Sequence, residues 1–228
     1  MYNDKFNRVE EKYFLNKEQR DNLLLELDNY ITKDTFYKSN ILNIYFDNEN
    51  NDLVINSNSK PIYKDKIRLR SYEIPNLDSD VFLEIKSKYE GVTNKRRIKL
   101  KLSEFYDYLS GKEINNSQIM KEIDYLFKYY NLKPNYFVAY DRLSFKGIDD
   151  DNLRITLDSN LRSRKDNLRL EYGDIGEQYF KGDNYIMEIK TLNSMPLWLT
   201  NVLSKLKIYP TSFSKYGEIY KRKEGKVC

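Results

Sequence analysis

The residues of this chain best suited to chemistry are charged side chains spaced two apart. Arg68 and Arg70 stand in KIRLR, Glu84, Lys86 and Lys88 in FLEIKSK, and Lys95 and Arg97 in NKRR. Arg8, Glu10 and Lys12 follow the same spacing in RVEEK, and Glu188 and Lys190 in MEIK. On an extended chain, residues two apart share a face. The charges therefore line one face, while Val9, Ile67, Leu69, Leu83, Ile85 and Ile98 line the other. Tyr140 and Arg142 of YDR share a face in the same way, as do Arg154, Thr156 and Asp158 of LRITLD. A guanidinium presents a planar fork of donors that grips oxyanions through two bonds, and an ammonium adds a mobile point charge. Rows of both suit a ligand with many negative oxygens, such as a chain of phosphates. The glutamates admit two readings: hard oxygen ligands for Mg²⁺ or Mn²⁺, or neutralisers of neighbouring cations. Both stay open for Glu10 and Glu84, while Glu188 reads as a metal ligand.

What the sequence lacks narrows the chemistry. There is no histidine, which removes Ser-His-Asp and Cys-His catalysis, imidazole zinc sites and histidine pH switches. The single cysteine, Cys228, forms no internal disulfide. No Gly-x-x-x-x-Gly-Lys-Ser/Thr or Gly-x-Gly-x-x-Gly run is found. The net charge of +4 is mild, so what matters is where the cations lie. With 40% hydrophobic and 32% charged residues the chain is too apolar for disorder and too charged for a membrane protein. No stretch approaches ~18 uninterrupted apolar residues. MYNDKFNRVEEKYF has no apolar signal core, so a cytoplasmic protein without a membrane segment is expected. Tyrosine is abundant, with 21 residues, but most fall at apolar helix or strand positions that suit packing better than nucleic-acid stacking.

The elements that must hold these charges are chiefly strands. They are expected at 6–15, 40–46, 66–72, 81–89, 95–101, 136–145, 153–158, 167–172 and 185–192, separated by turn-rich pieces such as DNENN and NSNSKP. Helices are expected at 16–30 with Asn16 as N-cap, at 103–110, at 117–130, and from Ser194 with Pro196 in the first turn. No repeat, linker or break in composition divides residues 1–228, which predicts one α+β domain with a large antiparallel sheet. Closure of that sheet into an antiparallel β-barrel would turn the charged faces inward and leave the apolar faces outside for helices to cover.

The ordered set RVEEKY, KIRLR, FLEIKSK, NKRR, YDR, LRITLD, MEIK and SFSKYG resembles the VTC (vacuolar transporter chaperone) polyphosphate polymerase domain, a triphosphate tunnel metalloenzyme, over residues 6–220. The resemblance implies an antiparallel tunnel barrel that takes ATP and inorganic polyphosphate together with Mn²⁺ or Mg²⁺. It implies that Lys12, Arg68, Arg70, Lys86 and Lys95 grip phosphate oxygens, with Arg97 close by. Tyr140, Arg142 and Arg154 would complete the cradle, Glu188 would hold the metal beside Lys190, and Ser214 and Lys215 would contact phosphate near one mouth. The hydrolase and cyclase relatives of the CYTH group begin Glu-x-Glu-x-Lys, whereas this chain has Arg8-x-Glu10-x-Lys12. A guanidinium in place of a carboxylate removes a possible metal ligand and adds an anion clamp, which favours retaining a polyanion over two-metal hydrolysis. The expectation is an ATP-dependent polyphosphate polymerase. A tunnel-type triphosphatase and a non-catalytic polyphosphate-binding module are the alternatives.

Overall fold

The computed structural model describes residues 8–225 apart from Gly91, Asn115 and Asn193. Cys228 and the side chain of Arg8 lie outside the described residues. Nine strands and six α-helices are formed among them. In chain order these are β1 (Arg8–Asn16), α1 (Lys17–Leu27), β2 (Ile31–Asp47), α2 (Asp52–Asn58), β3 (Tyr63–Ser71), β4 (Asp80–Tyr89) and β5 (Val92–Lys101). There follow α3 (Leu102–Leu109), α4 (Gln118–Tyr130), β6 (Lys133–Gly147), β7 (Arg154–Arg164), β8 (Glu177–Gln178), β9 (Asn184–Leu192), α5 (Leu197–Lys205) and α6 (Lys215–Lys223). The hydrogen-bonded order is β1-β9-β7-β6-β2-β3-β4-β5, with β8 attached to β7. This path has two ends, β1 and β5, so among the described residues the ladder is open where a closed barrel was expected. The exposed cations of the terminal strand β5, Lys95, Arg97, Lys99 and Lys101, make it the kind of charged edge that discourages further pairing. No helix among the described residues is long and apolar enough to cross a membrane.

The chain forms two compact units, the first from Met1–Ser39, Tyr140–Leu161 and Gln178–Phe213, the second from Asn40–Ala139, Arg162–Glu177 and Ser214–Cys228. In the first, β1 pairs antiparallel with β9 from Arg8↔Leu192 to Asn16↔Asn184. β9 pairs with β7 from Arg154↔Lys190 to Asp158↔Ile186. Tyr13, Leu15, Ile155, Leu157, Met187 and Ile189 turn to one side and are buried with Leu23 and Leu27 of α1 and Leu199 and Leu203 of α5. Each such side chain contributes about 1.5–3 kcal/mol of burial free energy. Helix α1 begins as expected: the Gln19 backbone N–H donates to Asn16 Oδ1 at 2.8 Å, and the Asn16 N–H to Gln19 Oε1 at 3.2 Å. It stops at Leu27, short of the expected Tyr30, whose ring stacks on Trp198 at 4.2 Å.

In the second unit β3, β4 and β5 form a continuous antiparallel ladder. Ile67, Leu69, Leu83, Ile85 and Leu100 lie on one side, sealed by Phe105 of α3 and by Met120 and Ile123 of α4. Helix α4 opens on Ser117, which accepts from Met120 N at 3.3 Å, and closes on Asn131 in the left-handed region at φ 52°.

Several segments differ from expectation: β2 begins at Ile31, well before the expected 40–46, and α5 begins at Leu197 with Pro196 as its N-cap, not at Ser194. The expected strand at 167–172 is a loop with a 3₁₀ turn at Leu170–Tyr172. Its carbonyls are taken by one side chain: the Arg164 guanidinium donates to Asn167 O at 3.1 Å, Arg169 O at 2.8 Å, Gly173 O at 3.0 Å and Ile175 O at 2.7 Å. Held this way over the Phe137 ring, with Asn167 at φ 48°, the segment cannot offer a ladder edge. Helix α2 replaces an expected turn, and α6 was not foreseen. Both are organised by Asp47, whose carboxylate accepts from Leu53 N and Val54 N at 2.9 Å each and from the Tyr216 hydroxyl at 3.0 Å. Gly217 is set by space, because a Cβ there would lie 2.2 Å from Asn58 Oδ1.

Asp47→Ala removes three buried bonds to a charged acceptor and should cost about 3 kcal/mol or more. Thermal unfolding should fall by several degrees. An unchanged midpoint would refute this role.

Candidate functional site

The charged face of the second unit is a grid. Strand register sets Tyr45, Arg68, Glu84 and Arg97 abreast in one row across β2, β3, β4 and β5. The next row is Asn43, Arg70, Phe82 and Lys99; on the other side come Lys66, Lys86 and Lys95, then Lys64, Lys88 and Thr93. Three ammoniums abreast on neighbouring strands repel one another. The grid is anchored by Glu84, which is 1% exposed. Arg68 Nε donates to Glu84 Oε2 at 2.8 Å, and Lys95 Nζ lies 2.7 Å from Oε1. The Lys95 contact is a close ion pair to the oxygen that Arg68 does not take. Arg70 Nη1 and Arg97 Nη1 stand further off, at 4.0 and 3.9 Å.

Neutral partners fix the same guanidiniums. Arg70 Nε donates to Asn43 Oδ1 at 2.8 Å, Arg68 Nη1 to the Tyr45 hydroxyl at 3.1 Å and Arg97 Nη1 to the Tyr72 hydroxyl at 3.3 Å. The Tyr45 ring is stacked on Tyr216 of α6 at 4.4 Å. Lys66 Nζ donates to Ser214 Oγ at 2.8 Å, and Ser214 caps α6 by accepting from Gly217 N at 3.2 Å. Lys215 is the first residue of that helix.

One carboxylate among several cations titrates far from its usual value. Burial pushes the Glu84 carboxyl up, but the charges of Arg68 and Arg70 and the contact with Lys95 outweigh it and hold the group down at about 2. Lys95 moves the other way. Burial, with repulsion from Arg68 and Arg70, exceeds the pull of Glu84 and lowers its ammonium to about 8. The two shifts agree physically: Glu84 gains from every cation around it, whereas each of those cations must share it.

The first unit carries a second charged face. Lys12, Glu188 and Thr156 form one row across β1, β9 and β7, and Glu10, Lys190 and Arg154 the next. Glu188, 8% exposed, pairs with Lys190 at 2.9 Å and approaches Arg142 Nη2 at 3.9 Å. Burial raises its carboxyl, but the charges of Lys190, Lys12 and Arg142 together hold it well below the carboxylate range. Arg142 is clamped by Asp158, Nε to Oδ1 at 2.6 Å and Nη2 to Oδ2 at 2.8 Å, and lies over the Tyr140 ring. Lys12 Nζ donates to Phe213 O at 3.1 Å. Arg154, half exposed, pairs with Asp34 at 2.9 Å.

A family model, the VTC domain, matches residues 7–222. The chain belongs to the VTC domain family. It has no match among curated proteins. Two of the solved structures that share its fold illustrate the likeness. One, from Bacillus halodurans, is described as a proposed adenylate cyclase; it has a TM-score of 0.55 and 14% identity, and the match covers 91% of this chain and 93% of that one. The other, described likewise and from Vibrio parahaemolyticus, has a TM-score of 0.50 and 11% identity, with 94% and 98% covered. At these identities the likeness is one of fold.

Within this VTC domain, the second unit gathers Arg68, Arg70, Lys86, Lys88, Lys95, Arg97, Ser214 and Lys215, and the first gathers Glu10, Lys12, Tyr140, Arg142, Arg154, Glu188 and Lys190. Glu84 is engaged by cations throughout, which is the neutralising reading of that residue. Among the described residues no group of three or more Asp, Glu, Cys or His side chains is placed to hold a metal ion. Glu188 fits a different mode, in which one or two carboxylates hold Mg²⁺ or Mn²⁺ and substrate phosphates and water complete the shell. It is held ionised, and Glu10 lies beside it. Sequence reading missed Asn43, Tyr45, Asp34 and the clamping role of Asp158. The parity of LRITLD does put Asp158 on the charged face.

Two outcomes follow from this geometry. Asp158→Ala leaves Arg142 buried without its counter-charge and should cost roughly 3–5 kcal/mol, measured by denaturant unfolding. Lys95 should lose its proton as pH rises through about 8, so tripolyphosphate affinity should fall between about pH 7 and about pH 9. Lys95→Arg, which stays charged, should flatten that profile; an identical slope in both proteins would count against Lys95.

Proposed function

We propose that this VTC domain is a polyphosphate polymerase that transfers the γ-phosphate of ATP to a growing inorganic polyphosphate chain. The row Lys66, Lys86 and Lys95 carries the proposal. Like charges abreast on paired strands cost free energy in the empty protein, and a ligand with several negative oxygens relieves it. A short or singly charged ligand would leave most of that repulsion in place. The closed tunnel belongs to this proposal and rests on the family resemblance.

Phosphoryl transfer asks mainly for positioning and charge stabilisation. The terminal phosphate of the chain attacks the γ-phosphorus in line, the new P–O–P link forms, and the bond to the β-phosphate oxygen breaks to release ADP. A phosphate oxyanion is already a nucleophile, so no general base is required; a chain without histidine can do this chemistry. Arg68, Arg70, Lys86 and Lys95 in one unit, and Lys12, Arg142 and Lys190 in the other, supply donors for phosphate oxygens. The fixed partners Asn43, Tyr45 and Asp158 keep the guanidiniums in place, so little reorganisation is needed as charge develops. Arg154, Lys215 and Ser214 stand at the margins of these faces as further phosphate contacts. Glu188, with Glu10 beside it, would hold Mn²⁺ or Mg²⁺, which supplies neutralisation of phosphate charge.

The place of Glu10 on β1, one row from Glu188 on the paired strand, supports a second reading, a tunnel-type triphosphatase, because two neighbouring carboxylates suit metal-assisted attack by water. One experiment separates them. Purified protein is incubated with ATP and Mn²⁺ or Mg²⁺, with and without a short polyphosphate primer, and the products are resolved on a gel while free phosphate is assayed. A ladder with matching ADP is the expected result. Free phosphate without a ladder identifies the triphosphatase, and neither signal leaves a polyphosphate-binding module. Arg68→Ala and Lys12→Ala should each lower the rate roughly 100-fold or more.

A further inference from the structure

We infer that Glu84 is an internal counter-ion that competes with phosphate oxygens for Arg68, Arg70, Lys95 and Arg97, and so limits how tightly the second unit retains a polyanion. This inference rests on the phosphate-binding reading above. Between Phe82 and Lys88 on the charged face of β4, Glu84 is the one carboxylate; its neighbours along the strand are Phe82 and Lys86, and its row partners are Arg68 and Arg97. At 1% exposure it has exchanged water for cations entirely. A buried carboxylate stays ionised only when cations hold it so, and each cation that does so has less attraction left for a ligand.

The contacts grade that competition. Arg68 and Lys95 touch Glu84 at 2.8 and 2.7 Å, whereas Arg70 and Arg97 stand at 4.0 and 3.9 Å. The Lys95 side chain is 38% exposed against 1% for Glu84, so its ammonium is the member of that pair an entering phosphate can reach. The guanidiniums do not depend on Glu84 alone for their placement. Tyr45 holds Arg68, Asn43 holds Arg70, and Tyr72 holds Arg97. Glu84 therefore contributes more to the field of the grid than to its geometry. A polymerase that must slide its product along needs such a brake on affinity, because a grid of cations without an internal anion would hold a chain of phosphates too long to turn over.

The test is Glu84→Gln, which keeps shape and removes charge. Binding of inorganic tripolyphosphate is measured by calorimetry on the full chain without nucleotide, alongside primer-dependent ATP turnover. The variant is expected to bind tripolyphosphate about 10-fold more tightly, with a steeper salt dependence, and to lose kcat while its KM for primer falls. A residue that merely propped up the fold would weaken binding or leave it unchanged, and either result in a folded variant overturns the inference. If Glu84→Gln is unfolded alone, tripolyphosphate should refold it, and Glu84→Asp, with the charge drawn back, should show a smaller gain in affinity. Failure of both overturns it as well. Wild-type protein that does not bind tripolyphosphate at all would instead remove the phosphate-binding reading on which the inference stands.

Discussion

Like-charge repulsion on one face of an antiparallel sheet is the constraint that shapes this protein. Lys66, Lys86 and Lys95 lie abreast, with Arg68, Arg70 and Arg97 in the rows beside them. Such a face is unstable unless something negative is built into it or binds to it. Each unit solves the first half of that problem with one buried carboxylate held far below its usual titration range, Glu84 in one and Glu188 in the other. Around these anions neutral groups aim the cations: amide and phenol oxygens at Asn43, Tyr45 and Tyr72, a backbone carbonyl at Phe213. The result is a set of donors that is oriented before any ligand arrives, which is the property electrostatic catalysis depends on.

The opposite face makes this affordable in free energy. Period-two alternation sends Ile67, Leu69, Leu83 and Ile85 to one side in the second unit, and Ile155, Leu157, Met187 and Ile189 in the first. Helices α3 and α4 cover one set, α1 and α5 the other. Because these helices bury the apolar face, the charged face is free of them and in the second unit meets α6, through Tyr216 on Tyr45 and Ser214 on Lys66. A one-residue slip in register would exchange the two faces of a strand, so burial fixes which cations stand in a row as firmly as it fixes the core.

Much of this was legible in the sequence because alternation is a local property. The spacing of KIRLR, FLEIKSK and NKRR predicts both the strands and the shared face, and β3, β4 and β5 lie within a few residues of the expected spans. Asn16 was readable as a cap because its bond reaches only three residues ahead, whereas α3 begins at Leu102, one residue before the Ser103 of the expected start, with Lys101 as its N-cap. What escaped depends on partners distant in sequence. Asp47 organises α2 and receives Tyr216 from α6, 169 residues away, so neither helix announces itself locally. NLRLEY has the composition of a strand, but Arg164 claims its carbonyls. The rows themselves required register: that Lys86 stands between Lys66 and Lys95, or Glu84 between Arg68 and Arg97, follows from how strands pair and not from any one of them.

The two carboxylates also show why similar residues in similar settings can serve different ends. Glu84 is met by a guanidinium Nε and an ammonium in direct contact, and further cations stand within 4.0 Å, so its oxygens are spoken for. Glu188 has Lys190 two residues on along its own strand, Lys12 directly across on β1 and Arg142 at 3.9 Å, with Glu10 one row away. A second carboxylate beside the first is a poor neighbour for neutralisation and a good one for a divalent cation. Glu84 is thus enclosed by cations of the strands on either side, whereas the cations that hold Glu188, namely Lys190, Lys12 and Arg142, share their face with a second acid, Glu10.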